Sequence, residues 1–318
     1  MGKFSPRAVI ACVAALSLMV TGCSQIANLS AKMSFREGNG LYQTQDWQAA
    51  AEKYEEVVAA NPTDPQMLTS YFFLGNSYDN QYAPGRTDDP ANDALLTKAI
   101  DNYKKAAEVL TDNPQMRTLS LQYLVAAYGA DKLNDPAQAE PLLLEMIQAD
   151  PKEPANYFLL SRLYEDIGDY ENAEATLIKA REARPDDAAV FTTMAGYYDR
   201  QDDFDKLIES LEARTAQEPN NPEAHYTIAT YYFNKASRDF SLNDAQKGTY
   251  AEAGLVAVDK ALALNNDYLE ALVFKNLFLR LQANLERNIP RQQALLKEAD
   301  QLRDRAEELR QQKAAGLS

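Results

Sequence analysis

His225 is the single histidine among 318 residues, and Cys12 and Cys23 are the only thiols. Nucleophilic catalysis by serine or cysteine needs an imidazole within hydrogen-bond reach and a third group to orient it. One histidine argues against both arrangements. No H-E-x-x-H, C-x-x-C or G-x-x-x-x-G-K-[ST] occurs, so neither a zinc site nor a phosphate loop is signalled. Gly38-Asn39-Gly40 begins like a dinucleotide loop but lacks the third glycine and a preceding strand. Asp88, Asp89 and Asp93 do not follow calcium-loop spacing. Carboxylate pairs such as Glu165 and Asp166 are what an acidic helical chain produces by chance. The expectation is a protein that is not an enzyme and uses no cofactor or metal.

The remaining reactive group is Cys23. Lys3 and Arg7 precede an apolar run from Ala8 to Val20, too short for a hydrocarbon core that needs about 20 residues. Its end, Val20-Thr21-Gly22-Cys23, resembles the bacterial lipobox, in which the thiol receives a diacylglycerol and the chain is cut just before the cysteine. Residues 1–22 then form a lipoprotein signal peptide, Cys12 leaves with it, and no intrachain disulfide is possible. Residues 23–30 read as a lipidated tether, roughly 25 Å at full extension. Ser24, where an aspartate would retain the protein at the inner membrane, points to the bacterial outer membrane on its periplasmic face. The inner membrane and the cell surface are the alternatives.

What positions the rest is a repeat. Tyr164, Tyr198 and Tyr232 recur every 34 residues, as do Pro151, Pro185 and Pro219. Around the first of these, Tyr157, Leu160, Ser161 and Tyr164 fall at helical spacing, and Gly168-Asp169-Tyr170 interrupts them. Ala173, Leu177 and Ala180 resume the spacing before Pro185. Small residues fall where two helices of a hairpin approach, and large ones fill the holes beside them. The pattern resembles the tetratricopeptide repeat, W-x2-L-G-x2-Y, A-x3-F, P, with Tyr157 at the tryptophan position and Leu177 at the phenylalanine position. It recurs at Tyr71, Leu74, Gly75 and Tyr78, at Leu121, Leu124 and Tyr128, at Phe191, Met194, Ala195 and Tyr198, and at His225, Ile228, Ala229 and Tyr232. A first, degenerate copy carries Gly38, Ala50, Tyr54 and Pro62, with Asp46-Trp47 in place of Asp169-Tyr170. The resemblance implies an all-α fold, an α-solenoid of antiparallel helix pairs in a right-handed superhelix. Six repeats span 31–266, with insertions near 79–93 and 234–249, and 267–318 forms a divergent helix pair and cap. Trp47 and His225 fall at packing positions of this register.

In that family the first helices of the repeats line a groove that holds peptides or helices of partner proteins. Carried over, the groove positions are Phe35, Asn39 and Tyr42, then Phe72, Asn76 and Asn80, then Phe158, Arg162 and Glu165, and finally Tyr226, Thr230 and Phe233. Aromatics at one register in four repeats suggest a stripe for apolar side chains, with asparagines to bond a peptide backbone. Alternatively the rings pack against neighbouring helices. The family's carboxylate clamp is not reproduced, since Phe35 stands where it needs a lysine and Leu119 and Tyr123 stand where it needs basic residues. After Pro290, Leu295, Ala299, Leu302, Ala306 and Leu309 form a narrow apolar seam that fits a cap, with weak homodimerisation through it as the alternative.

Loss of residues 1–22 removes Lys3 and Arg7 and leaves 30 basic against 47 acidic side chains, a net charge of −17. Nucleic acid is thereby an unsuitable partner. The functional expectation is a lipid-anchored scaffold for protein or peptide partners in the bacterial envelope, serving outer-membrane or pilus and secretion assembly. The alternative is an envelope lipoprotein that binds glycans or solutes through the same aromatics.

Overall fold

The computed structural model describes residues 27–86 and 89–316, and its described residues form fourteen helices and no strand. The chain divides into two compact units, one ending at Ala173 and the other starting at Glu174. The first holds α1 (27–43), α2 (Trp47–Ala60), α3 (Thr69–Gln81), α4 (Pro90–Val109), α5 (Pro114–Ala127), α6 (Pro136–Ala149) and α7 (Pro154–Asp166). The division falls inside α8 (Tyr170–Ala183), and the second unit continues with α9 (Ala188–Arg200), α10 (Phe204–Gln217), α11 (Pro222–Arg238), α12 (Asp244–Leu264), α13 (Leu269–Leu285) and α14 (Ile289–Ala314). Within each unit packing runs between consecutive helices, with α3 also meeting α5 and α11 also meeting α13. Contact confined to neighbours is the mark of a solenoid.

Local chemistry sets the helix boundaries. Asp89, Asn113, Asp135, Glu153 and Asn221 each stand before a proline and accept a backbone N–H of the helix that follows. Such a cap satisfies an otherwise orphaned donor, and proline's fixed φ suits the first helical position. The turns inside the hairpins share another device. Gln45, Asn134, Gly168 and Asp202 adopt left-handed φ of 61°, 52°, 79° and 55°. Each is followed by an aspartate, Asp46, Asp135, Asp169 or Asp203, whose Oδ1 accepts an N–H three residues on.

Small residues sit where the register requires them. Ala50, Ala99, Ala139, Ala173, Ala180, Ala229 and Ala261 are fully or almost fully buried. At Gly75 an added Cβ would lie 3.0 Å from the Ala99 carbonyl oxygen and 3.0 Å from the Tyr103 ring, so α3 and α4 approach through a glycine. Trp47 packs edge-on against Tyr42 with ring centroids 5.1 Å apart, beside the first hairpin turn.

One sequence expectation needs correction. Residues 27–30, read as tether, are the first turn of α1, which continues so that Ala31 can bury against Val57 and Met67. Part of each insertion is helix. In the second, α11 runs on to Arg238 and α12 begins at Asp244, where Asn243 and Gln246 make a reciprocal capping box. In the first, α4 opens at Pro90. Finally, the C-terminal seam is occupied within the chain. Ala299 is fully buried, Ala306 and Leu309 cluster with Leu272 of α13, and Leu295 and Leu302 are half-buried.

Candidate protein-interaction surface

The tyrosine that marks the 34-residue period does a defined job. The Tyr78 hydroxyl donates to Glu55, the Tyr164 hydroxyl to Glu140 Oε1 at 2.6 Å, and the Tyr198 hydroxyl to Glu174 Oε1 at 2.8 Å. In each case the first helix of one repeat is bonded to the second helix of the repeat before it. Lysines complete two of these contacts. Lys98 lies 4.6 Å from the centre of the Tyr78 ring and pairs with Glu55 at 3.5 Å, and Lys206 lies 5.2 Å from the Tyr198 ring and 2.7 Å from Glu174. Burial and the glutamate bond push the Tyr164 hydroxyl up to about 12. The bond to Lys206 holds the Glu174 carboxyl below the usual range, against an opposing effect of burial. A glutamate 23 or 24 residues before the tyrosine was the sequence signal for this joint.

Most of the expected groove positions are committed to packing. Phe72 is only 3% exposed and meets Phe73, Tyr103 and Tyr123. Asn76, expected to bond a peptide, is 4% exposed; it accepts from the Tyr42 hydroxyl at 2.6 Å and donates to the Tyr103 hydroxyl at 3.3 Å. Asn39 accepts from the Tyr54 hydroxyl at 2.8 Å. Phe35 meets Tyr54 edge-on, Tyr226 meets Tyr268 and Phe274, and Phe233 meets Phe274 and Phe278. Thr230 donates to the carbonyl of Thr227. The rings therefore lock helices together, and two of the positions, Phe72 and Asn76, are closed to a partner.

Other positions keep open surface. On α7, Phe158 is half-buried, Leu159 is 38% exposed, and Arg162 stands in solvent. Arg162 is held by Asp166 at 3.0 Å and Glu165 at 3.6 Å. Asn80 is exposed and donates back to Asn76. Cys23, the expected lipid carrier, lies outside the described residues.

A cleft of about 900 Å³ opens between the starts of α5 and α7, a feature the repeat register did not signal. Met116, Leu119 and Leu121 of α5 form one wall, Met146 and Ala149 close the end of α6, and Ala155 and Asn156 come from α7. Among the described residues, no group of three or more His, Cys, Asp or Glu side chains is placed to hold a metal ion. No described helix is long and apolar enough to cross a membrane.

Tetratricopeptide-repeat family profiles match residues 35–107 and residues 132–196. Among solved structures, the C-terminal part of a TPR repeat-containing protein from Cytophaga hutchinsonii is similar, with 15% identity, coverage of 84% of this chain and 95% of that one, and a TM-score of 0.53. A tetratricopeptide repeat protein from Parabacteroides merdae is 14% identical over 85% of this chain and 99% of its own, at a TM-score of 0.47. YrrB, described as a TPR protein with an unusual peptide-binding site, is 18% identical over 60% of this chain and 88% of its own, at a TM-score of 0.39. At these identities the likeness concerns the fold. No curated protein matches the chain in sequence.

Proposed function

We propose that this tetratricopeptide-repeat chain is a non-enzymatic scaffold that recruits protein partners at the bacterial envelope, held to the outer membrane by acyl chains on Cys23. Repeats of this kind serve protein interaction, and the finer reading comes from two features. The first is the lipobox-like Val20-Thr21-Gly22-Cys23. The second, which carries the binding role, is the α7 face, where Phe158 and Leu159 offer apolar surface beside the exposed Arg162. The glycan-binding alternative needs ring faces free to stack on sugars. Phe72 is enclosed, and Tyr226 and Phe233 are each flanked by two other rings, which favours a protein ligand.

The test is in-cell photo-cross-linking from a probe at position 158, in strains with Cys23 or Cys23→Ser, followed by mass spectrometry. A discrete protein adduct that disappears with Cys23→Ser is expected. No protein adduct in either strain would count against the scaffold and turn attention to glycans.

A further inference from the structure

The first helix carries an apolar face that the fold leaves uncovered. α1 packs through Ala31 against Val57 and Met67, and Phe35, Asn39 and Tyr42 reach Tyr54 of α2 and Asn76 of α3. On its opposite side Leu29 is 63% exposed and Met33 59%, and neither belongs to the apolar clusters around α1. Four residues apart, they share one face, and the exposed Gly40 continues it towards the end of the helix. None of the twelve groove positions falls there.

Positive charge flanks these side chains. Lys32 and Arg36 are exposed beside them, and among the described residues neither makes an ion pair. Glu37, the single acid of α1, is already paired with Lys53 at 3.3 Å. In a chain of net charge −15 this face is a local exception. Apolar side chains edged by long cationic ones are what a helix lying in a lipid interface presents, with the charged ends reaching up to phosphate.

Position decides what covers the face. Cys23 stands six residues before Leu29, a span of about 20 Å even when fully extended. An acylated Cys23 holds α1 within reach of the bilayer surface, at an effective concentration high enough for a small patch to engage. A basic patch beside a lipid anchor supplies a second attachment.

We infer that α1 lies along a lipid surface containing anionic phospholipid. Leu29 and Met33 dip into the boundary between headgroups and acyl chains, Lys32 and Arg36 pair with lipid phosphates, and the first unit is held in one orientation instead of swinging on its anchor. The inference rests on the anchored-scaffold reading and adds to it the surface that sits on the membrane.

The full chain, purified in detergent and reconstituted into vesicles of phosphatidylcholine with or without phosphatidylglycerol, tests it. Mass spectrometry first reports whether Cys23 carries acyl chains. A fluorescent dye is then attached at Gly40→Cys, on the same face, where an added Cβ meets nothing within 4 Å. Aqueous iodide should quench the dye about threefold less in the vesicles with phosphatidylglycerol than in phosphatidylcholine alone. Lys32→Gln with Arg36→Gln, and separately Leu29→Gln with Met33→Gln, should each weaken the seating by about tenfold and restore the quenching. Circular dichroism checks that the variants are folded. A dye quenched equally in both vesicles, or protection that survives both pairs of substitutions, overturns the inference while the anchor stands. Protection that grows with protein concentration at fixed lipid would mark a second copy of the chain on the face and overturn it too. An unacylated Cys23 defeats the anchor and this inference together, whereas adducts from position 158 report on partner recruitment independently.

Discussion

The hydroxyl of Tyr103 donates to Asp79 Oδ2 at 3.2 Å, in the middle of a polar chain that crosses the first unit. Tyr42 bonds Asn76, Asn76 bonds Tyr103, and the other oxygen of Asp79 pairs with Lys132 at 2.5 Å. Groups from α1, α3 and α4 and the turn after α5 are thus tied together inside a core of tyrosines. Tyr103 is fully buried, and burial followed by the charge of Asp79 drives its hydroxyl far above the usual range.

Lys132 is the counter-charge that makes this arrangement tolerable, with side-chain exposures of 18% for Lys132 and 7% for Asp79. Lys132→Met should cost about 3 kcal/mol, because it leaves a buried carboxylate unpaired. Adding Asp79→Asn should recover part of that loss. Urea unfolding gives both numbers, and a single variant within about 0.5 kcal/mol of the parent would mean that the network does not hold the unit together.

The Tyr164–Glu140 joint makes stability depend on alkaline pH. The hydroxyl is pushed up to about 12 in the fold, by burial first and then by the glutamate bond, whereas in the unfolded chain it ionises near about 10. The contribution is therefore complete below the unfolded value and is lost as pH rises through the folded one. Tyr164→Phe removes this source of pH dependence. Between those two values the urea midpoint of the parent should fall more steeply than that of the variant, and parallel curves would refute the assignment.

The repeat and its core were legible because they are local. Tyr157, Leu160, Ala173 and Leu177 follow one helical period, and all are buried as that period requires. The fate of the groove was not legible. Phe72 and Asn76 occupy positions that the register leaves open, but Tyr42, Tyr103 and Tyr123 reach them from other helices. Whether a bulky neighbour arrives is a property of three helices together, which a single repeat cannot encode. The α5–α7 cleft escaped for a similar reason. Met116 and Asn156 are unremarkable in their own helices, and only the spacing of α5, α6 and α7 makes them line one cleft.

His225, half-buried on α11, offers a single-site reporter for the second unit. Burial is the first cause lowering its pKa, Lys260 adds to the effect, and a backbone bond at Pro219 opposes it. The unfolded chain binds this proton more readily, so stability should fall as pH drops below about 6.5, until the folded value is passed. The lone imidazole resonance should titrate below its position in denaturant. A midpoint at or above the unfolded value would show that the ring is solvated.

Two glycines in α12 should respond in opposite ways to the same change. At Gly254 an added Cβ would lie 2.1 Å and 2.4 Å from atoms of the Phe278 ring, which is fully buried on α13. That ring is itself boxed in by Phe233 at 5.3 Å, so it has little room to retreat. Gly254→Ala must therefore separate α12 from α13 or displace the ring, an overpacking cost of about 1–3 kcal/mol or more. This outweighs the helix propensity gained, about 1 kcal/mol. At Gly248 nothing lies within 4 Å of the added atom, and the backbone is already helical. Gly248→Ala should therefore keep the propensity gain and stabilise the unit by about 0.5–1 kcal/mol. Thermal unfolding of the two variants beside the parent decides the matter. The same sign of shift in both would mean that the glycine at position 254 is not what lets α12 and α13 meet.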